Sequence, residues 1–139
     1  MPVQSHTLQI KTRGSNDTNN LTVDVQDFLD KSGISDGIAT VFVPGSTAGI
    51  TTIEFEPGAV EDLNRAIERL VPQNGEYKHN MRWGDGNGFS HVRAALIGPS
   101  LTVPVIKRRL QLGTWQQIIL IDFDNRARTR EVIIQLVGE

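Results

Sequence analysis

Short runs of β-branched and aromatic residues, each closed by turn residues, are the feature that most restricts how this chain of 139 residues can fold. The first run, residues 3–12, alternates between two faces, which is the period-two pattern of a half-buried strand. Residues 38–43 are apolar almost throughout and predict a strand buried on both faces. We count about eight such runs, and the others cover residues 50–55, 92–97, 101–105, 109–112, 117–123 and 130–137.

Two segments predict helices. Residues 57–72 open with Pro57-Gly58 and repeat apolar residues at helical spacing, which predicts an amphipathic helix. A shorter helix is predicted with Thr22 as its cap, and Gly33 is placed to end it. Both helices are short enough to lie against the predicted sheets.

Polar segments between the runs predict turns. Residues 13–20 have the composition of a turn, and residues 124–128 are expected to join the last two strands as a hairpin. The sequence has no internal repeat. We therefore predict one α+β domain over residues 1–139, a mostly antiparallel, β-sandwich-like arrangement of two sheets with two flanking helices on the outside.

Charge, hydropathy and the absence of cysteine exclude several classes of function. A net charge of −2 and a pI near 5.9 argue against a general nucleic-acid-binding surface, which needs a clustered basic excess. No apolar run approaches the roughly 20 residues that cross a bilayer. The first residues have no secretory signal, so we expect a cytoplasmic protein without a membrane partner. Without cysteine, only histidine and carboxylate side chains are candidates for holding a metal ion.

Residues 77–91 combine metal-capable and phosphate-capable groups with few core-forming residues. His79, His91, Asp85 and Asn87 stand among glycines that suit neither a helix nor a strand, so the pattern predicts a loop that forms a binding site. Two neutral imidazoles and a carboxylate are ligands that zinc accepts when thiolates are absent. The spacing is no recognised metal signature, and structural or capping roles for both histidines stay open.

Two further turns could contribute to a site. Residues 44–49 form a small-residue break between strands, where Ser46, Thr47 and consecutive backbone N–H groups can hold an anion. Such a turn more often only connects strands. A later strand begins at a tight glycine turn, and there we expect Trp115 in the core and Gln116 directed into a pocket.

Charged side chains near the end of the chain allow two interpretations. Arg126, Arg128 and Arg130 follow two aspartates, and guanidinium groups that face carboxylates either form an ion-pair network or bind phosphate. A carboxylate in an apolar strand is costly to bury without a partner, which makes Glu54 a further candidate for a functional role.

Six short blocks along the chain form a combined pattern. They are Ser46-Thr47-Ala48 followed by Glu54, Tyr77-Lys78-His79-Asn80, Asp85-Gly86-Asn87 with His91, Gly98-Pro99-Ser100-Leu101 with Pro104, Leu112-Gly113-Thr114-Trp115-Gln116, and Asp122-Phe123-Asp124-Asn125-Arg126 with Arg128 and Arg130. Together these blocks resemble the YjbQ family, also called uncharacterised protein family 0047. The resemblance covers nearly the whole chain.

The resemblance implies an activity and an assembly. Members are described as secondary thiamine-phosphate synthases, which condense a pyrimidine diphosphate with a thiazole phosphate. The family also implies a sandwich-like homotrimer with a polar, histidine-containing pocket. On this basis we expect His79, His91 and Asp85 to act in catalysis, and the two imidazoles to hold a divalent metal ion. The phosphorylated substrates would contact Ser46, Thr47, Glu54, Arg82, Asn87, Thr114, Trp115, Gln116 and Arg128.

Two departures from the family pattern bear on the metal and on the activity. Many members carry a histidine where this chain has Gly45, and others carry one where it has Phe89. Zinc is therefore one option, and an oxygen-rich site at Asp85 or Glu54, which would suit magnesium, is the other. The alternative to an enzyme is a non-catalytic trimeric protein that binds a small metabolite or an anion.

Overall fold

The computed structural model describes residues 2–139 as eight strands and four helices. In chain order these are β1 (Val3–Thr12), β2 (Asp17–Asn20), α1 (Thr22–Ser32), β3 (Gly37–Phe42), β4 (Ala48–Glu54), α2 (Pro57–Leu70), α3 (Lys78–Trp83), α4 (Gly88–Ile97), β5 (Ser100–Ile106), β6 (Arg109–Leu110), β7 (Gln116–Asp122) and β8 (Arg128–Gly138). A larger sheet has the order β1-β8-β3-β5-β6, and a smaller one has the order β2-β7-β4. Every pairing is antiparallel, so the predicted α+β sandwich is confirmed.

The main core lies between the two sheets. Alternate residues of β8, including Val132 and Ile134, meet Ile118 and Leu120 of β7. This alternation is what a strand with one buried face requires, because successive side chains point to opposite faces. The same core also contains Val25 and Leu29 of α1, both fully buried. Helix α1 therefore flanks the sandwich as predicted: one face packs on this core, and Val23, Asp24 and Asp27 are exposed.

The smaller sheet is covered on its outer face as well. Ile119 and Ile121 of β7 form a second apolar cluster with Ile67 of α2 and Ala94 of α4. β7 is consequently buried on both faces, and it lies at the centre of the smaller sheet. This position explains its near-continuous apolar sequence.

Two predictions for the segment around residues 77–97 were wrong. Residues 77–91 are not a loop, since they include all of α3 and the start of α4. Gly84, in the left-handed conformation that ends many helices, closes α3. Residues 92–97 were expected to form a strand and instead belong to α4. A short apolar run does not by itself distinguish a strand from a buried helix, and Ala94 and Ala95 favour the helix.

Two predicted turns also need correction. Residues 17–20 form β2, because pairing with the buried strand β7 supplies hydrogen bonds that their polar composition does not foretell. Residues 123–127 do not join a hairpin, since β7 and β8 belong to different sheets. This connection crosses from one sheet to the other. Thr22 is the first residue of α1, and Leu21 occupies the cap position.

The outer face of the larger sheet is open. Large apolar side chains on it are exposed, among them Val3, Ile38, Phe42 and Ile106. Within residues 2–139, no helix is long and apolar enough to cross a membrane.

Candidate functional site

A polar cavity opens at one end of the sandwich and has a volume of about 730 Å³. This volume lies in the usual range for small-molecule sites. Its walls come from β1, the turn before β4, helices α3 and α4, and the start of β8. The lining residues are Gln9, Pro44, Gly45, Ser46, Thr47, His79, Trp83, Asp85, Asn87, His91, Arg128, Thr129, Arg130 and Glu131.

A buried ion pair between Asp122 and Arg130 lies at the base of this cavity. Arg130 donates from Nε to Asp122 Oδ2 at 2.8 Å and from Nη2 to Asp122 Oδ1 at 2.8 Å. Such two-point pairing fixes both the position and the plane of the guanidinium group. Arg130 Nη2 also donates to Thr47 Oγ1 at 2.6 Å. The pair therefore ties β8 to the end of β7 and to the turn before β4.

A second ion pair lies beside the first. Arg128 donates from Nε to Asp124 Oδ2 at 2.9 Å, and Thr47 Oγ1 donates to the same oxygen at 3.1 Å. The side-chain amide of Asn87 lies between two carboxylates. In one orientation its nitrogen donates to Asp124 Oδ1 at 3.4 Å, and in the other it donates to Asp85 Oδ1 at 3.0 Å. These contacts connect α4 to the base of the cavity.

Both buried aspartates are held in the charged form. Burial raises the pKa of Asp122, but hydrogen bonds from Arg130, Thr12 and the Asp124 backbone outweigh it and leave the pKa below its ordinary value. Burial also raises the pKa of Asp124. The Asn125 backbone N–H, with Arg128 and Asn87, more than offsets that effect, so the pKa of Asp124 is lowered too. The base of the cavity therefore carries two carboxylates balanced by two guanidinium groups.

Helices α3 and α4 bring the two predicted histidines together. The ring centroids of His79 and His91 are 4.5 Å apart, and the ring planes are tilted by 43°. His79 Nδ1 is buried, has no hydrogen-bond partner and lies 3.6 Å from Asp85 Oδ1. That distance is too long for a hydrogen bond. The two imidazoles therefore stand side by side on one wall of the cavity, with Asp85 next to one of them.

The donor set does not match a closed zinc site. Tight zinc sites use three or four protein ligands, whereas residues 2–139 contain no group of three histidine, aspartate or glutamate side chains placed to hold a metal ion. The side chain of Phe89 is buried, and its ring lies 4.9 Å from the Arg93 guanidinium carbon. It therefore packs outside the cavity. Metal binding by His79 and His91 stays a prediction.

The structure brings seven of the predicted site residues into one cavity, and five lie elsewhere. The seven are Ser46, Thr47, His79, Asp85, Asn87, His91 and Arg128. Arg82 is exposed on α3, and its guanidinium carbon lies 5.5 Å from the Trp83 ring, which lines the cavity in its place. The other four, Glu54, Thr114, Trp115 and Gln116, are exposed at the opposite end of the β4–β7 pair.

The distance between these two groups follows from the strands. Asp122 pairs with Ala48 at the cavity end of β7, and Gln116 pairs with Glu54 at the other end. Six residues at about 3.4 Å each place these ends roughly 20 Å apart. Trp115 was expected in the core but is 71% exposed, because it precedes β7 in a turn whose residues 113–116 are all exposed.

Several cavity residues were not predicted as site residues. Arg130 was considered only as part of an arginine cluster, while Trp83, Gln9 and Glu131 were not considered. A period-two pattern could have indicated Arg130, because it and Arg128 fall on the same face of a strand. Gln9 pairs with Glu131 between β1 and β8, and that pairing cannot be deduced from local sequence.

The fold and the cavity together define an α+β sandwich protein with a polar, histidine-lined pocket. A family model described as UPF0047 protein YjbQ-like matches residues 6–139. The chain therefore belongs to the YjbQ (UPF0047) family.

Relatives of similar length support this assignment. The UPF0047 protein YugU of Bacillus subtilis is 37% identical over 133 residues, which is 95% of this chain and 98% of the relative. A UPF0047 protein of Archaeoglobus fulgidus is 39% identical over 114 residues, which is 81% of this chain and 88% of the relative. The crystal structure of a hypothetical protein from Aeropyrum pernix has a TM-score of 0.91 at 33% identity, with 98% of this chain and 99% of that chain covered.

Proposed function

We propose that this protein is an enzyme of phosphorylated small molecules, of the thiamine-phosphate synthase type that its family resemblance implies. The observation that supports this most is the meeting of His79, His91, Ser46 and Arg128 on one open cavity. Hydroxyl, imidazole and guanidinium groups are the side chains that bind phosphate oxygens and stabilise a departing phosphate.

The reaction needs stabilisation of a leaving group more than it needs a strong base. The bond between the pyrimidine methylene carbon and the diphosphate oxygen breaks, and its electron pair leaves with the diphosphate. The lone pair of the thiazole nitrogen forms the new carbon–nitrogen bond, which leaves a cationic ring and requires no proton transfer. A catalyst of this step therefore positions two substrates and supplies donors to the departing oxygen.

The cavity residues divide between these tasks. Arg128 is one-third exposed and is anchored through Asp124, so it can contact a phosphate without losing its position. Ser46 is exposed at the rim, and its hydroxyl makes no hydrogen bond to another described residue. His79 and His91 would donate to the leaving group. Asp85 would orient His79 in the substrate complex, where the 3.6 Å contact between them would shorten to a hydrogen bond. We assign no role to Arg82, which does not line the cavity.

The test is formation of thiamine phosphate from the two precursors by the purified, metal-supplemented protein. We expect turnover by the unaltered protein and at least a tenfold lower rate in His91→Ala, since loss of one donor to a developing negative charge costs about 10²–10³-fold. His6→Ala is the matched control, because His6 lies on β1 against Phe28 and does not line the cavity. No product, or equal rates in His91→Ala and His6→Ala, would count against the proposal. Ligand affinity without turnover would instead support the metabolite-binding protein.

Three further features belong to the same proposal. A divalent metal at His79 and His91 predicts a lower metal content in purified His79→Ala than in the unaltered protein. A homotrimer is supported by the open outer face of the larger sheet, and light scattering would show three times the mass of one 15.4 kDa chain. A cytoplasmic location is the third, and fractionation of the native cells would test it.

A further inference from the structure

Arg130 has one guanidinium nitrogen without a protein partner. Its side chain is only 8% exposed, and Nε and Nη2 are held by Asp122 and Thr47. Nη1 makes no hydrogen bond to any residue between 2 and 139, although Arg130 lines the cavity. Two of the three nitrogens thus fix the group in place, while the third keeps its donor capacity.

Gly45 lies next to this free nitrogen. A Cβ atom added at Gly45 would be 3.1 Å from Arg130 Nη1, which is the only heavy atom within 4 Å apart from the chain neighbours of the glycine. The backbone at Gly45 does not have the positive φ that would favour glycine. Backbone conformation therefore does not account for glycine at this position, whereas access to Arg130 does.

We propose that Gly45 is a specificity-determining residue: its missing side chain keeps Arg130 Nη1 open to the cavity, where this nitrogen binds an oxygen of the phosphate group of the ligand. The inference rests on the proposed function only in taking the ligand to be phosphorylated. Any side chain at position 45 would cover the nitrogen or push the guanidinium group aside.

The charges around Arg130 indicate how it would bind a phosphate oxygen. Asp122 already balances its charge, and Asp85 and Glu131 also line the cavity, so the site offers little net positive potential. Binding therefore depends on directed N–H donors. Arg128 adds a second one, since its Nε and Nη2 are held by Asp124 while Nη1 is free of hydrogen bonds within the described chain. Because both groups are fixed beforehand, binding costs little side-chain entropy.

The experiment measures binding of inorganic phosphate by calorimetry, at constant ionic strength maintained with chloride. We expect the unaltered protein to bind phosphate and Gly45→Ala to bind it at least tenfold more weakly. Gly113→Ala is the matched control: it is also an exposed glycine without a positive φ, and its added Cβ would meet only Gln116 atoms, at 3.6 Å. We expect its affinity to be unchanged.

A second variant separates occlusion of the nitrogen from a general disturbance of the turn. Gly45→Asp places a carboxylate next to Arg130 Nη1, so we expect loss of phosphate binding without a fall in thermal stability. Equal phosphate affinity in Gly45→Ala and the unaltered protein would overturn the inference, as would no phosphate binding by the unaltered protein. Turnover is not measured, so a Gly45-dependent phosphate site in a protein that makes no thiamine phosphate would reject the proposed function and keep this inference.

Discussion

Both ends of the β4–β7 strand pair carry polar side chains, but the structure holds them differently. At the cavity end, Asp122 and Thr47 are buried and hydrogen-bonded to Arg130, which comes from the other sheet. At the far end, Glu54 and Gln116 face each other across the strands and are exposed. The difference shows that β8, a strand of the other sheet, supplies the buried partners at the cavity end. At the far end the third strand, β2, adds only an exposed contact, from Asn20 Nδ2 to Gln117 Oε1 at 3.2 Å.

Of the substitutions that compare the two ends, removal of the Asp122 carboxylate should lower the stability of the protein most. Asp122→Ala leaves the buried Arg130 guanidinium without its carboxylate, so we expect the free energy of unfolding to fall by about 3–5 kcal/mol. Glu54→Gln at the far end should change it by less than about 0.5 kcal/mol, because Glu54 is exposed. Urea unfolding of both variants measures the difference. Similar losses in the two would mean that the ends do not differ in stability.

Low pH should remove the stability that the buried aspartates at the cavity end contribute. The pKa values of Asp122 and Asp124 are lowered in the folded protein, so the unfolded chain binds more protons as the pH falls. Their contribution to stability is fully present above the unfolded pKa of about 3.9, and it is lost as the pH falls through the folded values. We expect the urea midpoint to drop below about pH 4, and to drop less in Asp122→Asn. A pH dependence of Asp122→Asn equal to that of the unaltered protein would contradict this assignment.

Most strands could be predicted from the sequence, because their side-chain pattern repeats every two residues and needs no long-range information. The exceptions are β2, which is polar, and residues 92–97, which form part of α4. Residues 3–12 and 38–43 were identified within one residue of the observed strands. The sheet assignment could not be predicted in the same way. Residues 124–128 have the composition of a hairpin turn, yet the strands on either side pair with different partners. Only the packing of both sheets on a shared core decides between a hairpin and a crossover.

The site was predicted in part for a related reason. Residues that are chemically unusual for their segment, such as His79, Asp85 and His91, were found from sequence, even though the predicted loop contains α3 and the start of α4. Trp115 was assigned to a site on the family resemblance and to the core on residue type. Neither the family resemblance nor residue type indicates where β8 lies. Arg130 of β8 and Asp122 of β7 belong to different sheets, so their contact depends on how the sheets pack.

Trp115→Ala should have the smallest effect and therefore tests the far end most directly. The side chain is 71% exposed and lies at the end of the strand pair away from the cavity, so it buries little apolar surface. We expect the free energy of unfolding to change by less than about 0.5 kcal/mol, and phosphate affinity to stay unchanged. The same two measurements on Gly45→Ala should show a small change in stability with a large loss of affinity. If Trp115→Ala also loses affinity, the far end takes part in the site, and the separation of the two ends within one chain does not describe the working protein.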